Sequence, residues 1–585
     1  MATEPSSRLS SSLVHGPTST PLWHKTIGTI LQEQSQIYGN KTAVVVPWQN
    51  VRYTFHDLRI RSATIAKALL ASGVKNGDRV AIMAGNRIEY IDVLLAAARI
   101  GCPLVVVNNT YTELELISAL QRISPKAIFI AQNIGSRPLS GCLSELQTNV
   151  EVGKLKSLVL AVVLGPKQDM NLSKPFLFYE ELSHLRQFVQ SSELQRAEVL
   201  VQDDDVVNVQ FTSGTTGTPK AAMLTHRNIV NNGHLVGSRM NLTPKDIVCC
   251  PPPLFHCFGL VMGFLAAFTH GSSIVFPADQ FDASRTYDAI IEERCTALLG
   301  VPTMLNGLLS VLPSKRSKIN TVRIALAAGS MVPVPLLDRI DKDMGIGSVL
   351  IAYGMTETSP VTFMMSVDDT KKGAKKGLGT VMPHTSAKIV DAQGRLLPRG
   401  SKGELCTSGY ALMKGYFANE ASTNEVMRRD KDGTLWMHTG DECVIDEQGY
   451  CEITGRIKDI IIRGGENIFP GEIEEHLLRL PSICEASVVG LSDEKYGEVV
   501  SCFLRVSSGE QRPGDEQVKS WVGAKLGRHK IPAWIFWVGD EVGCVAIDYP
   551  KTGSGKHQKH LLRNLGEKTL RDKNLHKSQI ERARL

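Results

Sequence analysis

Between residues 51 and 353 the apolar side chains repeat with two spacings in alternation, and that rhythm most limits the folds open to the chain. Thr54 stands where it can cap a helix carrying Leu58, Ile65, Ala66 and Leu69, residues 79–83 read as a short buried strand, and residues 90–100 read as a helix stopped by Gly101. Residues 103–107 supply another strand and 114–123 another helix, and the pattern resumes from 246 to 353 with glycines and prolines at the turns. Short apolar strands alternating with amphipathic helices form βαβ units, so the class is α/β with parallel sheet. No repeat of solenoid period is visible.

Within this frame, the apolar run 206–211 reads as a buried strand that leads into a loop, TSGTTGTPK (212–220), with a helical pattern beyond it. Thr212, Ser213, Thr215 and Thr216 offer hydroxyl donors. Gly214 and Gly217 allow positive φ and a close approach to an anion, and Lys220 adds a point charge. A composition of this kind holds phosphate, and the carboxyl end of a strand is where open α/β sheets place ligands. A flexible linker of the same composition would not sit between a strand and a helix. The loop is not a Walker A loop, because Thr218 and Pro219 separate Gly217 from the lysine.

Further motifs follow in order: PLFHCFG (253–259), YGMTE (353–357), GEL (403–405), HTGD (438–441), GRIKDIIIRGGENIFPGEIE (455–474) and PKTGSGK (550–556). With the phosphate loop, this series resembles the adenylate-forming superfamily, whose members include acyl-CoA synthetases, luciferases and peptide-synthetase adenylation domains. In texture it is closest to the medium-chain fatty acyl branch. The resemblance runs from about residue 29 to about residue 562. It implies a large N-terminal α/β domain capped by a smaller, mobile C-terminal α+β domain. The expected division is an extension of poor order over residues 1–25, an ATP- and acyl-binding domain over 26–457 and a lid with a basic tail over 458–585.

The implied reaction is ATP-dependent activation of a carboxylic acid to an acyl-adenylate with loss of pyrophosphate, followed by transfer of the acyl group to coenzyme A. By the resemblance, the loop from Thr212 to Lys220 cradles the β and γ phosphates, Tyr353 with Gly354, Met355 and Thr356 meets the adenine, and Glu357 offers a hard oxygen to Mg²⁺. Asp441 resembles the family's ribose-binding carboxylate and Arg456 its partner, while Ala328, Gly329 and Ser330 match the segment between the adenine and acyl sites. Lys556 resembles the lysine that bridges the acid and the α-phosphate after domain closure. Lys458 resembles the hinge, and Gly464 and Gly465 the loop that lets pantetheine pass in the second step. His256, Phe258, Gly259, Val301 and Met304 are candidate walls of an acyl pocket whose apolar character favours a hydrophobic acid. A stand-alone adenylating enzyme serving a carrier protein is the alternative, as is an inactive ligand-binding relative, against which the intact Lys220, Glu357, Asp441, Arg456 and Lys556 argue.

Three features depart from the family pattern. Ala221 replaces the glycine usual after Pro-Lys, His557 stands where a β-branched apolar residue is preferred, and residues 543–547 look inserted ahead of Lys556.

Composition bounds the rest. A chain of 585 residues exceeds one hydrophobic core, and 43% hydrophobic with 21% charged residues is that of an ordinary globular protein. A net charge of +6, spread rather than striped with aromatics, does not point to nucleic acid. The longest apolar stretch, 258–268, is bounded by His256 and His270 and reads as core rather than a membrane span. Twelve cysteines without a C-x-x-C pair argue for a reducing compartment, and Cys249, Cys250 and Cys257 read as part of a packed loop rather than a metal site. Residues 1–21 carry neither a secretory nor a transit pattern. Ala583, Arg584 and Leu585 form a small-basic-Leu tripeptide of the kind a peroxisomal import receptor reads, so the expected address is the peroxisome, otherwise the cytoplasm.

Overall fold

The computed structural model describes residues 10–167, 173–212, 219–372, 377–539, 543–553 and 555–582, with side chains through residue 572. Two large sheets carry the βαβ rhythm. In the first, Phe176–Phe178, Leu160–Leu164, Ala127–Ala131, Val80–Met83, Leu104–Val106 and Val206–Thr212 run parallel, and Lys220–Thr225 and Gly415–Tyr416 close the edge antiparallel. In the second, Val349–Gly354, Ile324–Ala328, Ala297–Gly300, Ile247–Cys249, Ser273–Val275 and Thr42–Val46 are parallel neighbours. Most of these strands are buried along their whole length, the result of covering a parallel sheet on both faces, and this is why they read as continuous apolar runs.

The helix predicted after Thr54 spans Phe55–Ala71. Its start is fixed reciprocally: the Asp57 amide donates to Thr54 Oγ1 at 3.1 Å and the Thr54 amide donates to Asp57 at 2.9 Å. The other early elements fall within a few residues of their expected positions, at Val80–Met83, Ile88–Arg99, Leu104–Val106 and Glu113–Ile123. The 258–268 stretch is buried, and Phe258–Leu265 takes a π-helical path against the helix His226–Arg239. No helix of the described residues is long and apolar enough to cross a membrane.

Two expectations are corrected. Residues 10–25 are ordered: Val14–His15 pairs antiparallel with Ala387 and Ser386, and burial of Val14 and Ser12 against this third sheet holds a segment whose composition alone reads as loose. In the sequence, residues 472–480 read as a helix, 486–491 and 499–506 as strands and 517–526 as a helix, a βαβ-like run, whereas the structure pairs Ile483–Asp493 with Gly497–Val506 antiparallel. The short link between them leaves no room for a crossover helix. The parallel crossover comes next, through the helix Asp515–Gly523 to Trp534–Trp537.

A main core reaches from Val14 to Cys451, and a separate core of Ile461, Ile473, Val488, Val500, Leu504 and Val522 lies in the C-terminal sheet.

Candidate active site

The carboxyl ends of Val206–Thr212, Ala297–Gly300, Ile324–Ala328 and Val349–Gly354 supply most of the predicted residues. The phosphate loop connects two antiparallel strands, because Thr212 pairs with Lys220 and Lys220–Thr225 is itself a strand. The expected helix begins only at His226, capped by reciprocal bonds between Thr225 and Asn228. A helical turn does not follow Lys220 because residues 220–225 fill the place between Val206–Thr212 and Gly415–Tyr416. Ser213, Gly214, Thr215, Thr216 and Gly217 lie outside the described residues. Ala221 is a buried mid-strand residue without positive φ, so the missing glycine costs nothing at the loop's exit.

Lys220 extends over the ring of Tyr416, its Nζ 5.2 Å from the centroid and 3.8 Å from the exposed carboxylate of Glu425. The Tyr416 hydroxyl donates to Glu357 Oε1 at 2.7 Å, and the Glu357 carbonyl accepts from the Met413 amide at 2.9 Å. Glu357 is thus a buried carboxylate held from one side. Tyr416 escaped sequence reading because it lies 59 residues from Glu357 and belongs to a two-residue edge strand. Gly354 is obligatory for packing, since a Cβ there would fall 1.7 Å from the Pro360 carbonyl oxygen. Met355 and Thr356 follow at the entrance to the Glu357 turn.

Asp441, 4% exposed, accepts from the Tyr353 hydroxyl at 2.6 Å and from Arg456 Nε at 3.1 Å. The two strands Leu435–Ile445 and Cys451–Arg456 place Asp441 directly opposite Arg456. Burial and the Asp441 charge keep the Tyr353 phenol protonated far above its ordinary range, and Asp441 also raises Arg456. The turn before Asp441 is anchored by Glu404, which accepts from His438 Nδ1 at 2.8 Å and from the Gly440 amide at 3.1 Å. Burial alone would raise the Glu404 carboxyl, but the His438 bond brings it below the usual range. Glu404, Cys406 and His438 bring their ligand atoms within 4.8 Å of one another. Burial pushes the Cys406 thiol up to about 12, and Glu404, through its bonds to His438 and the Gly440 amide, holds the turn that carries Asp441.

The C-terminal domain reaches this cluster through its 550–557 loop. Lys556 is partly buried, and its Cε lies 3.9 Å from where a Cβ on Gly329 would project. Burial, and then the Arg456 charge, lower its ammonium to about 8, while Asp441 and Glu357 pull the other way. Val301 lies between the glycines of both domains: it is 3.1 Å from the Gly329 Cβ position and 3.5 Å from that of Gly555. Ala328 is buried and Ser330, two residues on, is exposed. Burial and the Lys556 charge push the His256 imidazole down to about 3. His256 Nδ1 accepts from the Phe258 amide at 3.1 Å, which leaves Nε2 carrying the hydrogen. Phe258 and Met304 are buried, and Gly259 packs where a Cβ would meet the Pro253 carbonyl at 2.4 Å.

The structure does not bring the predicted coenzyme A residues to the same place. Gly464 and Gly465, with φ of 59° and 87°, form an exposed two-residue hairpin turn whose neighbour is Tyr496 of the C-terminal sheet. Lys458 lies in the short 3-10 turn Ile457–Asp459 that joins the two cores. The structure is therefore of the orientation in which Lys556, not the glycine turn, meets the N-terminal domain.

Residues 31–417 match the AMP-binding enzyme family and residues 472–556 match the AMP-binding enzyme C-terminal domain. The chain is 46% identical over 561 residues to the acyl-CoA ligase sidI of Beauveria bassiana, covering 96% of this chain and 95% of the relative. It is 36% identical over 574 residues to the mitochondrial medium-chain acyl-CoA ligase ACSF2 of Danio rerio, covering 96% and 92%. Its fold matches that of the anthranilate CoA ligase AuaEII in complex with anthranoyl-AMP, with a TM-score of 0.79 over 93% of this chain and 98% of that one, at 21% identity. With the motif series, the two-domain match and the geometry in agreement, the chain belongs to the AMP-binding enzyme family.

Proposed function

We propose that the site joins a hydrophobic carboxylic acid to coenzyme A in two half-reactions, through an acyl-adenylate. The protein is an AMP-forming acid–CoA ligase. A carboxylate is ionised at neutral pH, so the first step needs no general base, and the catalytic burden is positioning and charge neutralisation. The carboxylate oxygen attacks the α-phosphorus, the bond to the bridging oxygen breaks, and pyrophosphate leaves. Lys556 carries the central role: its ammonium reaches the Gly329–Val301 edge only because the C-terminal loop closes there. This placement is the observation that carries the reading.

The other residues act around it. Lys220 and Thr212, at the base of the phosphate loop, hold the departing phosphates. Tyr353 offers its ring to the adenine, and the Asp441–Arg456 pair takes the ribose hydroxyls. His256, neutral and with its hydrogen on Nε2, is a donor for the acyl carboxylate, beside apolar walls drawn from Phe258, Val301 and Met304. Glu357 fits Mg²⁺, since it is a hard oxygen donor with one oxygen held by Tyr416, and this ion commonly takes one or two carboxylates and completes its shell with phosphate oxygens. Bound there, Mg²⁺ would supply neutralisation of phosphate charge. For the second step, rotation about Lys458 replaces the Lys556 loop by the Gly464–Gly465 turn.

Acid-dependent exchange of pyrophosphate into ATP, followed by thioester formation across straight-chain, aryl and hydroxylated acids with free coenzyme A, tests the reading. Exchange with at least one apolar acid and thioester from the same acid are expected. No acid-dependent exchange across the panel would refute it, and exchange without thioester would mean a carrier protein as acceptor.

A further inference from the structure

Given the reading of Lys556 as the adenylating lysine, we infer that Glu485 is a positioning residue which holds the Lys556 loop in register from outside the active site, through His557 and Lys551. The loop is a small hairpin: Lys551 and His557 are bridged antiparallel, the Thr552 amide donates to the Lys556 carbonyl at 2.7 Å, and the Lys556 amide donates to Thr552 Oγ1 at 3.1 Å. Both feet of this hairpin end on one carboxylate. His557 Nε2 lies 3.1 Å and Lys551 Nζ 3.0 Å from Glu485 Oε2, and Arg505 approaches Oε1 at 3.7 Å. Asp548 completes the group by pairing with Arg505.

The carboxylate belongs to a rigid element. Glu485 lies in the strand Ile483–Asp493, next to a register shift at Cys484, the kind of bulge that re-aims a side chain. Tyr549 ties the same parts together through its ring and its hydroxyl. The ring stacks on His557 at 4.2 Å and 8°, and the hydroxyl donates to the Phe503 carbonyl at 2.8 Å. Burial alone would raise the Glu485 carboxyl, but the His557 bond and the Lys551 and Arg505 charges bring it down to about 2, so it stays charged throughout the working range. His557 is therefore the donor that fixes the residue next to Lys556. Residues 543–547 leave this arrangement intact, because they pack along Trp534–Trp537, with the Val545 amide donating to the Trp537 carbonyl at 2.8 Å.

A hinge-delivered lysine gains from such an anchor because a displacement of about 1 Å at a reacting group costs about 100-fold in rate. The test compares Glu485→Ala, Glu485→Gln, His557→Val and Lys556→Ala in the full chain, with adenylate formation and thioester formation from supplied acyl-adenylate measured separately. Glu485→Ala and His557→Val are expected to lower kcat for adenylation by about 10- to 100-fold with little change in KM for ATP, the range typical of losing a residue that orients a reacting group. Thioester formation should stay within about twofold, since in that step the hairpin has left the site. Glu485→Gln, whose amide oxygen still accepts from His557, should recover most of the loss. Unchanged adenylation in both Glu485→Ala and His557→Val, beside a crippled Lys556→Ala, overturns the anchor alone. An equal fall in both half-reactions reduces Glu485 to a folding role, and normal adenylation by Lys556→Ala removes the reading on which the anchor rests. If Glu485→Ala does not fold, His557→Val decides the matter.

Discussion

Replacing Lys556 with alanine removes one charge from a desolvated site and leaves the surrounding fold in place, because the side chain extends from a loop into the space between the domains. Burial and Arg456 lower its ammonium from 10.5 to about 8, so holding it charged in the free enzyme is harder than in water by about 3 kcal/mol, at 1.36 kcal/mol per tenfold step. That cost is offset only when an anion arrives, and the α-phosphate and acyl carboxylate are the anions of the first half-reaction alone. Loss of a preorganised charge contact of this kind costs about 2.7 to 4 kcal/mol, or about 100- to 1000-fold in rate. Pyrophosphate exchange should therefore fall by that factor, while thioester formation from supplied acyl-adenylate stays within about threefold. The same geometry sets the pH dependence. The ammonium is the working form and its pKa is lowered, so kcat/KM for adenylation should hold below about 8 and decline above it, and Lys556→Ala should flatten that limb. Equal loss in both half-reactions, or an alkaline limb that survives the substitution, would refute the assignment.

Two other outcomes are expected. Lys458→Pro should favour the present orientation, since the φ of a 3-10 turn is close to the value proline fixes: adenylation should persist while the overall reaction fails, and normal rates in both steps would move the hinge elsewhere. Fused behind a fluorescent protein, residues 574–585 should draw it into puncta that disperse when two residues follow Leu585, and a diffuse signal from the unextended tail would remove the peroxisomal address.

Short-range physics made much of this protein legible from its residues. Parallel strands buried on both faces must be apolar throughout, so the strands at 80–83 and 104–106 announced themselves, and the Thr54 cap was readable because its partner Asp57 is three residues away. The site motifs were legible in two ways: a Ser/Thr/Gly loop ending in lysine at the end of a buried strand is a composition that holds an anion, whereas the PKTGSGK motif drew its meaning from the family resemblance. Long-range pairing decided the remainder. Strand or helix after Lys220 depended on a vacant sheet position beside Gly415–Tyr416, about two hundred residues away. The ordering of residues 10–25 depended on the 385–390 strand, to which no local signal points. Tyr416 beneath Glu357, Glu404 behind Asp441, and Glu485 under both feet of the Lys556 hairpin are contacts between residues whose types are unremarkable in sequence. A carboxylate acquires a role only from the donors that burial brings to it, and that convergence exists only once the chain has folded.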